Sequence, residues 1–165
     1  MGGRLQSRSS AWCSGQPHTV ARAKYPPLGV RGVGTARALG YGYSIADYVA
    51  RANEETAVIL QTEHLDAVAN IDEIAATPGV DAIFVGPFDL SLSMGTPGKV
   101  ADPDVVQAIS HVRDAVQARG LPLGIFGVAP DSVSGWMGRG FTLIACGVDM
   151  MLLGGAARSM LAQLR

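Results

Sequence analysis

Two short apolar runs separated by a helix-length segment constrain the fold of this chain more than any other feature. Residues 57–60 (Ala-Val-Ile-Leu) and 82–85 (Ala-Ile-Phe-Val) are too short for helices and rich in branched side chains, so each predicts a buried strand. Between them, apolar residues recur at helical spacing before Pro78-Gly79: Leu65, Val68, Ile71, Ile74 and Ala75. The order strand, helix, strand predicts a βαβ unit with parallel strands.

The second half of the chain repeats this alternation. Asp102-Pro103-Asp104 predicts a capped helix start, and Gly120 ends that helix. Residues 121–126 and 142–146 predict two more strands, with a helix at about 131–138 between them. We expect Gly154-Gly155 to lie at the start of the closing helix, where they help the chain to enter the helix. The chain therefore predicts an α/β fold of about four parallel βα units.

Two carboxylates follow the first two predicted strands. Glu63 comes just after residues 57–60, and Asp89 follows residues 82–85. Neighbouring strands lie roughly 4.8 Å apart, so carboxylates at the same sheet edge can reach one ion. Oxygen ligands without a Cys or His pattern favour Mg²⁺ or Mn²⁺. The alternative is that Glu63 favours a helix start and Asp89 caps a turn, and spacing alone does not decide between the two.

Charge and cysteine content exclude several classes of protein. The net charge of −1 does not indicate binding to nucleic acid or to an anionic membrane surface. Residues 1–46 hold 6 Lys or Arg and no acid, and the rest of the chain holds 7 basic and 14 acidic residues. Cys13 and Cys146 are too few for a disulfide framework, and Cys146 follows an apolar run that predicts a buried free thiol. With no run of about 18 apolar residues, we expect a cytoplasmic protein that does not enter a membrane.

Four segments resemble the HpcH/HpaI aldolase and citrate lyase family, in which they occur in the same order and spacing across about residues 20–165. They are Tyr-Pro-Pro-Leu-Gly-Val-Arg-Gly-Val-Gly at 25–34, Gln-Thr-Glu at 61–63, Gly-Pro-Phe-Asp-Leu-Ser at 86–91 and Gly-Val-Asp at 147–149. The resemblance is to metal-dependent class II pyruvate aldolases of the 4-hydroxy-2-oxoheptanedioate aldolase type. It implies a (β/α)₈ TIM barrel of the phosphoenolpyruvate/pyruvate type, of which this chain is the C-terminal half.

The resemblance also implies a site. Glu63 and Asp89 would hold a divalent metal, Mg²⁺ or Mn²⁺ or alternatively Co²⁺ or Zn²⁺. Pyruvate would be bound near Gln61 by the backbone of Phe88 and Asp89, in a turn shaped by Gly86 and Pro87. Phe126, at the end of the third strand, could wall the substrate pocket, although an aromatic residue there is more often part of the core.

The implied activity is that of a carbon–carbon lyase. It would cleave or form 4-hydroxy-2-oxo acids, giving pyruvate or another 2-oxo acid plus an aldehyde, through an enolate of pyruvate that the metal stabilises. Family members have about 250 residues, as a full barrel needs. Their first half carries an arginine and an Asp-x-Glu-His loop, and neither string occurs here, so we assign no catalytic residue to this chain.

Several alternatives remain open. Residues 1–19 do not match the family, and we expect a disordered leader there, followed by a partial barrel domain at residues 20–165. A misread or out-of-frame start upstream of Val20 would explain both this leader and the missing first half, and a transit peptide is the competing explanation. The two alternatives to an aldolase are an acyl-CoA lyase of the malyl-CoA or citryl-CoA type and an inactive metal-binding fragment. A half barrel leaves two sheet edges unpaired, which predicts a homo-oligomer. His18, His64 and His111 are assigned no role in the site.

Overall fold

The computed structural model describes residues 5–7 and 16–164. Its centre is a parallel sheet of five strands whose order in space follows their order in the chain. Each connection between strands contains at least one helix. This alternation confirms the predicted α/β fold. The strands are β1 (Leu5–Ser7), β2 (Val58–Thr62), β3 (Ala82–Val85), β4 (Leu123–Gly127) and β5 (Leu143–Cys146).

Eight α-helices and one short 3₁₀ segment, Arg37–Gly42, occur within the described residues. None of these helices is both long enough and apolar enough to span a bilayer. The helices are α1 (Gln16–Ala23), α2 (Ile45–Glu55), α3 (Leu65–Ala69), α4 (Ile71–Ala75), α5 (Pro87–Ser93), α6 (Pro103–Ala118), α7 (Pro130–Met137) and α8 (Asp149–Gln163).

The core lies between one face of the sheet and the helices. Alternate strand residues, such as Leu60, Ile83 and Ile125, are buried among apolar side chains of α4 and α6. Helix α6 begins as predicted, because the Asp102 side chain accepts a hydrogen bond from the Asp104 N–H at 3.1 Å. On the opposite face of the sheet, Phe84 is half-buried and its ring lies over Gly124. This second face is therefore less covered than the first.

The predicted helix between β2 and β3 is split in two. α3 ends and α4 begins around Asn70, whose φ of −106° and ψ of 17° are not helical. The Asn70 side-chain amide donates to the carbonyl of Asp66 at 2.7 Å. Asparagine side chains compete in this way with the helical backbone pattern, which explains the interruption.

Two predictions near the C-terminus are wrong. Gly154-Gly155 lie inside α8, which begins five residues earlier at Asp149, so they do not start the closing helix. A carboxylate in the first turn favours a start at Asp149, and the helix accommodates the two glycines at some cost in stability. Cys146 is exposed and not buried, because it is the last residue of β5, an outer strand of the described sheet.

A strand at the N-terminus was not expected from the sequence. Leu5–Ser7 pair in parallel with residues 58–60 of β2, and α1 begins at Gln16. β1 and the first half of α1 fall within residues 1–19, for which no family segment was identified in the sequence. The predicted disorder of this leader stays a prediction for residues 1–4 and 8–15, which lie outside the described residues.

Candidate functional site

The ends of β2 and β3 bring Glu63 next to Gly86. Thr62 pairs with Val85 in parallel register, and Glu63 and Gly86 are the residues that follow them. A Cβ atom added to Gly86 would lie 3.1 Å from Glu63 Oε2 and 3.0 Å from Gln61 Nε2. Glycine therefore lets the turn after β3 approach both polar side chains closely.

Gln61 orients the Glu63 carboxylate. The two residues are two positions apart at the end of an extended strand, so their side chains lie on the same face. Gln61 is only 6% exposed, and its Nε2 donates to Glu63 Oε2 at 2.5 Å. Glu63 itself is half-buried. One carboxylate oxygen is thus held by the buried amide.

Asp89 lies one helical turn beyond Gly86. Helix α5 starts at Pro87, and the Leu90 N–H donates to the Gly86 carbonyl at 2.9 Å, which closes its first turn. Asp89 is exposed within that turn, where the helix dipole favours a negative charge. The βαβ geometry therefore puts Glu63 and Asp89 at the same carboxyl edge of the sheet.

Glu63 and Asp89 are the two residues of this edge that could hold a hard divalent cation. Carboxylate oxygens are the ligand type that Mg²⁺ and Mn²⁺ prefer, and two protein ligands would leave positions for water and substrate. Gln61 and Gly86 give Glu63 a defined orientation. Across residues 5–7 and 16–164, His, Cys, Asp and Glu side chains form no group of three or more that could hold an ion. The case for a metal therefore depends on these two carboxylates.

Three other predicted binding residues surround a different space. Pro87, Phe88 and Phe126 line an apolar cavity of about 280 Å³ between the start of α5, the end of β4, α6 and α7. Gln61, Glu63 and Gly86 are not among the residues that line it. The predicted binding residues thus fall into a polar group at the β2 and β3 ends and an apolar group at the β3 and β4 ends.

Ser91 is a structural residue of this region that sequence reasoning did not single out. It is fully buried, its Oγ donates to the Phe88 carbonyl at 2.6 Å, and it accepts from the Gly98 N–H at 3.0 Å. These bonds fold the loop after α5 back onto the helix that carries Asp89. In the sequence, the one feature that could have pointed to Ser91 is its place as a small polar residue between the apolar Leu90 and Leu92.

His64 and Arg31 each contact neighbouring residues, and His111 lies on the surface. His64 caps α3, because its Nδ1 accepts from the Asp66 N–H at 3.2 Å, and His111 is exposed on α6. The Arg31 guanidinium lies 4.8 Å from the centre of the Tyr25 ring, and its Nη2 is 3.4 Å from the hydroxyl oxygen of Tyr48. Stacking of this kind fixes the loop that contains Arg31.

Known proteins match most of this chain. The family model for HpcH/HpaI aldolase/citrate lyase matches residues 18–156. A hydroxypyruvate/pyruvate aldolase of Chromohalobacter salexigens is 46% identical over 140 residues, which is 84% of this chain and 55% of that protein. A 5-keto-4-deoxy-D-glucarate aldolase of Shigella dysenteriae is 39% identical over 131 residues, or 79% of this chain and 51% of that protein.

A solved structure matches the fold as well. The crystal structure of an HpcH/HpaI aldolase/citrate lyase family protein from Burkholderia cenocepacia superposes with a TM-score of 0.82 at 37% identity. The match covers 91% of this chain and 60% of that one. The chain thus spans about half the length of the curated relatives it matches.

Proposed function

The chain belongs to the HpcH/HpaI aldolase/citrate lyase family, and we propose that it acts as a carbon–carbon lyase on 4-hydroxy-2-oxo acids. Its fold is part of the TIM-barrel-type fold of that family, as predicted. The proposed reaction cleaves or forms the bond between a pyruvate unit and an aldehyde. The names of the two relatives, a pyruvate aldolase and a keto-deoxy-glucarate aldolase, support 2-oxo acid chemistry of this kind.

The observation that carries the proposal is the hydrogen-bonded pair Gln61 and Glu63 against Gly86, with Asp89 one turn further on. In the proposed site, Glu63 and Asp89 hold Mg²⁺ or Mn²⁺. A divalent ion, when bound, polarises the keto oxygen of pyruvate and stabilises the charge that develops there. Gln61 keeps the Glu63 carboxylate in one orientation, so the site needs little rearrangement to bind the ion.

The turn at the start of α5 would position the oxo acid. Backbone N–H groups in the first turn of a helix have no partner within that helix, so those of Phe88 and Asp89 can donate to the carboxylate of pyruvate. Gly86 leaves the necessary space next to Glu63. None of the described residues is assigned the role of catalytic acid or base. The second reactant of the proposed reaction is an aldehyde.

A direct test measures pyruvate release from a 4-hydroxy-2-oxo acid, with Mg²⁺ or Mn²⁺ and again with excess chelator. We expect metal-dependent release, lost in Glu63→Gln and retained in the matched control Glu73→Gln, which changes an exposed residue of α4. Cleavage of malyl-CoA or citryl-CoA in place of the oxo acid would favour the acyl-CoA lyase. No turnover with intact metal binding would favour an inactive fragment.

We also propose that the chain forms a homo-oligomer. No residue of α8 is buried, and several of its large apolar side chains are more than half exposed: Met150, Met151, Leu152, Leu153, Met160 and Leu161. A helix that is apolar on most sides is normally covered by protein. A second copy of the chain would provide that cover. A cytoplasmic location stays a prediction.

A further inference from the structure

Gln61, Phe84 and Gly124 form one row on the second face of the sheet. Gln61 of β2 pairs with Phe84 of β3, and Phe84 pairs with Gly124 of β4 in parallel register. Side chains of strand residues paired in this way project from the same face. Phe84 therefore lies between Gly124 and Gln61, whose amide holds the Glu63 carboxylate.

Gly124 gives the Phe84 ring its place. A Cβ atom on Gly124 would overlap Phe84 Cδ2 and would lie 2.9 Å from Phe84 Cε2. The φ of Gly124 is not positive, so the close approach of the ring, and not the backbone conformation, requires glycine within β4. We infer that Gly124 is a positioning residue for the hydrogen bond between Gln61 and Glu63, because it keeps the Phe84 ring away from Gln61.

A Phe84 ring displaced from Gly124 would meet Gln61. The ring can turn across the sheet toward β2, where Gln61 is its neighbour in the row. It can also turn along β3 toward Gly86, where a Cβ atom would lie 3.0 Å from Gln61 Nε2 and 3.2 Å from Glu63 Cβ. Side-chain torsions change between separate staggered positions, so the ring does not move by a small adjustment. Both movements bring the ring against the amide that holds Glu63.

The expected consequence is a metal-binding defect caused from outside the site. In the proposed site neither Gly124 nor Phe84 contacts the ion, and the effect passes through Gln61. Loss of the partner that orients a metal ligand typically lowers metal affinity by about 10- to 100-fold. This consequence rests on the proposed function, whereas the hydrogen bond between Gln61 and Glu63 can be followed without a metal.

Nuclear magnetic resonance of the metal-free, isotope-labelled chain tests the positioning step alone. The side-chain amide signal of Gln61 is identified by its loss in Gln61→Ala. We expect Gly124→Ala to shift this signal. The double variant Gly124→Ala/Phe84→Leu should give the same signal as Phe84→Leu alone, because leucine lacks the ring that reaches Gly124. The control Val112→Ile adds one methyl group to the core on the other face of the sheet and should leave the signal unchanged.

Isothermal titration with Mn²⁺ tests the consequence for the proposed site. Gly124→Ala should bind Mn²⁺ about 10-fold more weakly than the parent chain, and the double variant should bind it as Phe84→Leu alone does. A methyl group at position 124 would also lie 2.8 Å from the Leu143 carbonyl oxygen, and leucine at position 84 would not relieve damage through β5. Phe84→Trp enlarges the ring beside an unchanged Gly124 and should weaken binding in the same way, which keeps the test valid if Gly124→Ala does not fold.

Three results would overturn the inference. The first is a Gln61 signal that is unchanged in Gly124→Ala and in Phe84→Trp, and the second is a shift in Gly124→Ala that Phe84→Leu does not reverse. The third is unchanged Mn²⁺ affinity in variants whose Gln61 signal shifts. A parent chain that binds no Mn²⁺ would contradict the proposed function instead, and the Gln61 signal would still decide whether Gly124 acts through Phe84.

Discussion

The Gln61 amide donates a hydrogen bond to the Glu63 carboxylate, with Nε2 and Oε2 2.5 Å apart. The amide is buried and the carboxylate is half-buried at the mouth of the sheet. A glutamate whose carboxylate is held by a buried neutral donor has one preferred orientation. The proposed metal site therefore depends on a residue that need not touch the metal.

Removal of the amide should weaken metal binding. Gln61→Ala removes one hydrogen bond to the Glu63 carboxylate, and loss of a partner of this kind typically lowers metal affinity by about 10- to 100-fold. Isothermal titration with Mn²⁺ measures the change. Gln107→Ala, at an exposed position of α6, is the control and should bind Mn²⁺ as the parent does. Equal affinity in the two variants would remove Gln61 from the site.

A methyl group on Gly86 should disturb both neighbours. Its Cβ would lie 3.0 Å from Gln61 Nε2 and 3.1 Å from Glu63 Oε2, closer than side chains normally approach. We expect Gly86→Ala to lower the free energy of unfolding by about 1 to 3 kcal/mol and to weaken Mn²⁺ binding. Gly135→Ala, inside α7 with open space around it, should be neutral or stabilising. Urea unfolding distinguishes the two.

Ser91→Ala tests the loop that follows α5. The change removes the hydroxyl that accepts from the Gly98 N–H, and loss of a hydrogen bond of this kind costs about 0.5 to 1.5 kcal/mol. Thermal unfolding should show the loss, and hydrogen exchange should rise at Gly98. The exposed Ser134→Ala is the control, with less than about 0.5 kcal/mol expected. A Ser91 variant as stable and as protected as the control would contradict this role.

Leu153→Glu should reduce the size of the assembly if α8 is covered by a second copy. Leu153 is 68% exposed, so a charge there costs nothing within one chain but is unfavourable in an apolar contact. Light scattering after size exclusion gives the mass. Ser159→Glu adds the same charge to the same helix and tests whether charge alone is responsible. A parent chain that is already monomeric would contradict the proposed oligomer.

Most of the sheet could be predicted because its strands are short apolar runs between clear helix signals. β3 was predicted at Ala82–Val85, where the structure has it, and the Asp102 cap fixed the start of α6. The pairing of Leu5–Ser7 was not predicted, since three residues carry no periodicity. The break at Asn70 was also missed, because it depends on one side-chain hydrogen bond.

The candidate site was predictable in position but not in detail. Parallel strands predict that Glu63 and Asp89 share a sheet edge, because each follows the end of its strand. The bond between Gln61 and Glu63 depends on rotamers, and the apolar cavity at Phe88 and Phe126 depends on how α7 packs. Neither leaves a pattern in a single sequence.

Mn²⁺ binding followed by electron paramagnetic resonance tests the central claim most directly, because free Mn²⁺ gives a sharp signal that is lost on binding. Glu63→Gln and Asp89→Asn each replace a carboxylate with a neutral group of similar shape. We expect one Mn²⁺ per parent chain and affinity at least tenfold weaker in each variant, with Glu73→Gln unchanged. If both variants bind Mn²⁺ as tightly as the parent chain, these two carboxylates do not form the metal site.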